Sequence, residues 1–169
     1  MVAQPDTIIC RPGDPAEEFF EHSYIGGPNY EFNDSFSMEY LSSDVREGGT
    51  MNGGISLRNK ARALEFLHNG VFLDNPIREM EDLAWSTYAN VVENSPSKLK
   101  AARFASNVCK TECFEIEGEL KCPWAMHRPY PHHCSQTLIE NCPAFMDYME
   151  ASDGKYHLFY EVDSKFIEA

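Results

Sequence analysis

The stretch REGGTMNGGISLRNKARALEFLHN, residues 46–69, decides which class of fold the chain is expected to take. Its first half carries two glycine pairs, Gly48-Gly49 and Gly53-Gly54, and glycine interrupts regular elements. Read locally, REGGTMNGGIS is a flexible turn. A phosphate cradle at the start of the next helix is the other reading, but no lysine follows as in a P-loop and no strand is expected before it. The second half is helical. Ser56 stands as N-cap, Leu57, Ala61, Leu64 and Leu67 recur at helical spacing, and Gly70 occupies the C′ position.

Two further helices are expected downstream. In NPIREMEDLAWSTYANVVEN, Asn75 caps, Pro76 fits the first turn, and Ile77, Met80, Ala84, Tyr88 and Val91 form an apolar stripe. In SPSKLKAARFASNVCK, Ser95 caps, Pro96 opens the helix, and Lys98, Lys100 and Arg103 face outward. Three helices with short joints predict a mainly α fold, a small helical bundle, over residues 56–110. An α+β arrangement is the second choice.

Residues 1–55 read as a long irregular arm. Proline and glycine break every periodic run, and one short helix at most fits around PAEEFFEHS. Yet Phe19, Phe20, Tyr24, Tyr30, Phe32, Phe36 and Tyr40 are too many aromatics for a chain that stays in water. The arm is therefore expected to lie along its own domain or along a partner.

Residues 111–169 form the third region, joined to the helices in one compact domain. FEIEGELK reads as a hairpin, CSQTLIENCPAFMDYMEA as a helix bent or restarted at Pro143, and KYHLFYEV as a strand by its period of two.

Composition narrows the function. The chain has 169 residues, 27 acids and 14 bases, a formal net charge of −13 that repels phosphate backbones and anionic lipid. Nucleic acid is not an expected partner. No run approaches the ~20 apolar residues of a membrane span, and the opening lacks the basic and apolar regions of a secretory signal. The charge is segregated: residues 57–110 carry 6 acids and 8 bases between two acidic ends. The tripeptide Asn33-Asp34-Ser35 fits a glycosylation sequon, but such tripeptides arise by chance.

Five of the six cysteines lie in CKTECFEIEGELKCPWAMHRPYPHHCSQTLIENC, residues 109–142. Zinc could be held by Cys109, Cys113, His132 or His133, and Cys134, although no CxxC knuckle occurs. Disulfides fit the spacing better. A two-residue turn at Glu117-Gly118 sets Ile116 opposite Glu119 and Cys113 opposite Cys122, on a pair where side chains approach closely. A three-residue turn would stagger those cysteines by one. Cys134 and Cys142 are too far apart on one helix to bridge each other, so a fully oxidised chain would pair them with Cys10 and Cys109 in one of two ways; six reduced cysteines, several of them small core residues, are the other reading. A nucleophilic cysteine lacks any thiol-enzyme signature.

Cysteines flanking short elements in an acidic chain resemble the coiled-coil-helix-coiled-coil-helix proteins of the mitochondrial intermembrane space. That family repeats Cys-x9-Cys on two helices; here the intervals are x3, x8, x11 and x7, and Gly118 interrupts the first helix. The resemblance implies an oxidising compartment and nothing finer. With no catalytic constellation, the expected function is a non-catalytic accessory subunit of a larger assembly, in contact with other protein subunits, those of a membrane-protein complex being one expected setting. The alternative is a zinc-stabilised binding module or small metal-dependent enzyme. No cofactor other than that zinc is expected.

Overall fold

A computed structural model describes residues 1–11, 16–29, 50–69, 81–92, 96–130 and 133–151. Among these residues the fold is α+β, with eight strands in three sheets and five α-helices. This corrects the expected helical bundle.

The reversal is made at the quoted stretch. Thr50–Arg58 is a nine-residue strand, β4, and it is the centre of a sheet. On one side it pairs antiparallel with β1 (Val2–Ala3), on the other with β3 (Tyr24–Asn29). Met51, Ile55 and Leu57 are buried along it. The glycines that suggested a turn are there because both faces of β4 are tightly covered. A Cβ at Gly53 would strike the Glu81 carboxylate, and one at Gly54 would strike the ring of His127. Gly26, where the register of β3 shifts, likewise leaves room for the Asn52 carbonyl.

The N-terminal arm is corrected by the same finding. Residues 1–29 supply three strands, and Phe19, Tyr24 and Ile25 are completely buried in the main core. Pro15 of the expected short helix, the aromatics Tyr30, Phe32, Phe36 and Tyr40, and the sequon lie outside the described residues, as do Gly70, Asn75, Pro76, Ile77, Met80, Ser95 and the strand expected at 155–162.

Helix α1 (Lys60–Asn69) starts later than expected, because the chain is still a strand at Ser56. Asn59 is the cap: its Oδ1 accepts from the amides of Ala61 at 3.0 Å and Arg62 at 3.2 Å. Phe66 of α1 stacks on Trp85 of α2 (Glu81–Val92) at 4.7 Å, and Trp85 stacks in turn on Tyr24 at 5.9 Å. Helix α3 (Lys98–Phe104) is capped by Ser97, whose hydroxyl accepts from the Lys100 amide at 3.2 Å. The sequence pattern predicts a helix running on to Lys110, but it stops at Phe104. Ala105–Asn107 is β5, extended because it joins a second sheet.

That sheet has the order β2 (Thr7–Ile9), β8 (Ala125–His127), β5. Strands β2 and β8 run antiparallel, and β5 and β8 run parallel. Gly27 lets β3 approach the backbone of Ala105, which brings the two sheets together. The third sheet is the hairpin β6 (Phe114–Ile116) and β7 (Glu119–Lys121). Ile116 faces Glu119 and Phe114 faces Lys121, the register of the two-residue turn. Glu117 and Gly118 both take positive φ, 53° and 79°, as the type I′ turn of such hairpins requires. Last come α4 (Gln136–Glu140), capped by Ser135, and α5 (Ala144–Ala151), with Pro143 between them. No helix among the described residues is long and apolar enough to cross a membrane.

Candidate functional site

Parallel strands β5 and β8 end together, with Asn107 beside His127. Around these two ends converge Gln4 and Asp6, from the connection between β1 and β2, and Asn29, the last residue of β3. Four segments distant in sequence thus deliver polar side chains to one place. The backbone locks them there: the Gln4 amide donates to the Gly54 carbonyl at 2.7 Å, Val108 to His127 at 2.9 Å, and Arg128 to Asp6 at 2.9 Å.

His127 is the centre. It is 3% exposed, its ring lies against Gly54, and both ring nitrogens are engaged. Nδ1 is 3.0 Å from Asn107 Oδ1, and Nε2 is 2.9 Å from Gln4 Oε1 and 3.4 Å from Asp6 Oδ1. Asn107 Nδ2 donates onward to Asn29 Oδ1 at 3.0 Å. Asp6 also pairs with Arg128, Oδ2 to Nε 3.3 Å. Burial pushes the imidazole below its ordinary pKa; the Asp6 carboxylate opposes that shift and Arg128 adds to it. Burial thus opposes a charge on His127 while the adjacent carboxylate favours one, and the imidazole is a group able to take up or release a proton.

The turns leaving these strand ends hold unusual backbone. Val108 and Cys109, directly after Asn107, have φ of 54°, and Arg128, directly after His127, has φ of 50°. Left-handed conformation is costly for residues with a Cβ, and for β-branched Val108 most of all. Such residues persist where the surroundings over-determine them, and they concentrate at functional sites.

The cysteines fall elsewhere. Three pairs lie at disulfide distance: Cys10 with Cys142, Cys109 with Cys134, and Cys113 with Cys122, with Cα separations of 4.2, 4.8 and 4.1 Å. The first two seat α4 and α5 on the second sheet, in a core with Ile8, Met126, Leu138 and Phe145. The third closes the hairpin. The zinc set of Cys109, Cys113, His132 or His133, and Cys134 is not gathered: Cys113 sits with Cys122, the His133 ring packs on Tyr130, and His132 lies outside the described residues. Among the described residues no three His, Cys, Asp or Glu side chains are placed to hold a metal.

None of Gln4, Asp6, Asn29, Asn107 or His127 was singled out by sequence reasoning. One signal is present in the sequence, a histidine ending the apolar run CPWAMH, but nothing beside it along the chain marks it as the centre of a polar cluster.

The architecture defines an α+β domain with a polar histidine site at the carboxyl ends of two parallel strands. Residues 1–127 match the model of a family described as a protein of unknown function, DUF5672, and the chain belongs to that family. No curated protein and no solved structure matches it. The matched span includes Gln4, Asp6, Asn29, Asn107 and His127, and it ends before Cys134 and Cys142.

Proposed function

We propose that the domain binds a small, uncharged, hydroxyl-bearing ligand over the carboxyl ends of β5 and β8. The observation that carries this is the convergence of Asp6, Asn29, Asn107 and His127, from four segments, beside three non-glycine residues in left-handed conformation. Ligands of α/β sheets collect at the carboxyl ends of strands. The groups offered are mostly carboxamides, each both donor and acceptor, and so complementary to hydroxyls. The one carboxylate, Asp6, is offset by Arg128, which removes the reason for a charged ligand. His127 supplies a titratable group at the centre. Two of the cysteine pairs act as oxidised bridges that fix the tail helices on the second sheet and the third closes the hairpin, and no metal is required. Such bridges suit an oxidising compartment.

The test is a thermal-shift and calorimetric screen of the full chain against polyols, hydroxy acids and simple amides. A polyol should bind to the wild type and lose at least tenfold in affinity in Asn107→Ser. Equal binding to wild type and variant, or preference for a charged member of the panel, would sink the reading.

A second reading, the accessory subunit, is favoured by one observation. Leu64 and Leu67, one turn apart on α1, remain 48% and 69% exposed while Phe66 between them packs inward. A contiguous apolar face of this kind suits a protein partner. Light scattering of the native protein alone and in lysate fractions, with Leu64→Ser/Leu67→Ser as control, tests it; unchanged size in every fraction counts against it.

A further inference from the structure

We infer that His127, Asn107 and Asn29 form a proton-linked relay, in which gain or loss of one proton on the imidazole reverses two carboxamides in succession. The argument is one of donors and acceptors. As the side chains stand, both ring nitrogens face carboxamide oxygens, Asn107 Oδ1 and Gln4 Oε1. Oxygens only accept, so both nitrogens must donate, and the arrangement is that of an imidazolium. Its charge is matched by Asp6 at 3.4 Å. In this state Asn29 Nδ2 is buried and has no hydrogen-bond partner among the described residues.

A neutral imidazole cannot keep both contacts. Nε2 faces the Asp6 carboxylate and so retains the hydrogen, which leaves Nδ1 to accept. Asn107 then turns its NH2 to Nδ1, and its oxygen comes to face Asn29. Asn29 must turn as well, and its Nδ2, the orphaned donor, now bonds Asn107 Oδ1. The two ends of a carboxamide are nearly isosteric, so both states use the same heavy-atom positions. Each state has a cost the other lacks: the charged one strands a donor at Asn29, the neutral one gives up the ion pair with Asp6.

The charged groups facing the imidazole among the described residues are Asp6 and Arg128. Strand β4 presents Gly54 to the ring and β5 presents Asn107, neither of which titrates. Burial favours the neutral state near neutrality, so the switch is thrown by acid. Its output is at Asn29, which pairs across the sheet with Thr50. The relay deepens the ligand-site reading, on which its functional meaning rests, by making the polarity of that site depend on pH. Its test uses the protein without ligand, so either idea can fail alone.

Side-chain NMR of the wild type across pH 4–9 is the experiment. The NH2 resonances of Asn29 and Asn107 should move with the same midpoint as the His127 ring nitrogens, which should lie below the ordinary histidine value. In Asn107→Ser the ring should still titrate while Asn29 becomes independent of pH. Titration of the ring without movement at Asn29 in the wild type overturns the relay, and so does a ring that does not titrate in that range. If Asn107→Ser fails to fold, the wild-type co-titration decides.

Discussion

The imidazole of His127 lies flat against the α-carbon of Gly54, in the space that any Cβ at that position would fill. One strand of the first sheet thereby sets the height of the central side chain of the second. Gly54→Ala should push the ring off Asn107 and Gln4 and destabilise the fold by about 1–3 kcal/mol, the usual range for overpacking. Gly118→Ala is the contrast. Nothing lies within 4 Å of a Cβ there, and the φ of 79° alone is strained, for about 1 kcal/mol. Urea unfolding should rank Gly54→Ala as the more damaging, and only that variant should change the His127 ring resonances.

Acid should weaken the fold through His127. Burial, aided by Arg128 and opposed by Asp6, makes the folded chain bind this proton less tightly than the unfolded chain does. Where the unfolded state binds more protons, stability rises with pH. The contribution is therefore fully present above the unfolded value of about 6.5 and is lost as pH falls through the lower folded value. Unfolding curves at pH 8 and pH 5 should show a larger drop for wild type than for His127→Gln, which cannot titrate. Equal drops would place the acid sensitivity elsewhere.

Much of the tail was legible in the sequence because its signals are local. A two-residue turn with a cysteine at either end is one of the two hairpin registers the sequence allows, and the structure takes it; Pro143, which lacks an amide, marks the bend or restart that separates α4 from α5. Helix α1 showed in its spacing, though its start did not: Ser56 is a competent cap in isolation, but the sheet holds the chain extended past it to Arg58. Strand β4 was illegible for a deeper reason. Gly53 and Gly54 break any local pattern, and the purpose they serve, close approach of Glu81 and His127, involves residues far away in sequence. The site was hidden likewise. Asp6, Asn29, Asn107 and His127 make no motif along the chain; they meet because β5 pairs with β8 in parallel, β2 pairs with β8 on its other side, and β3 approaches β5 at Gly27.

Removing the cysteine pairs one at a time, as double serine variants, should give graded losses. The loops they close span 9 residues for Cys113–Cys122, 25 for Cys109–Cys134 and 132 for Cys10–Cys142. In the chain-entropy account those lengths correspond to about 2.6, about 3.5 and about 5 kcal/mol. Thermal unfolding without reductant should follow that order. Addition of dithiothreitol should bring all three variants and wild type together. If wild type shows no response to reductant and six titratable thiols, the pairs are close but not bonded.

Arg58 ties β4 to α2, and its planar head is the reason it can. The guanidinium sits 5.3 Å from the Trp85 ring and 5.7 Å from Tyr24, while it donates to Ser56 at 3.0 Å and Glu81 at 2.7 Å. Lysine would retain the charge but not the flat surface that stacks on two rings while bonding two oxygens. Glu81, by contrast, has 52% of its side chain in water, where an ion pair is worth little. Arg58→Lys should therefore cost about 1 kcal/mol and Glu81→Gln less than about 0.5 kcal/mol. A double-mutant cycle separates the contributions: a small coupling energy between the two positions places the value of Arg58 in its aromatic contacts. A coupling as large as the whole Arg58→Lys loss would place it in the ion pair instead.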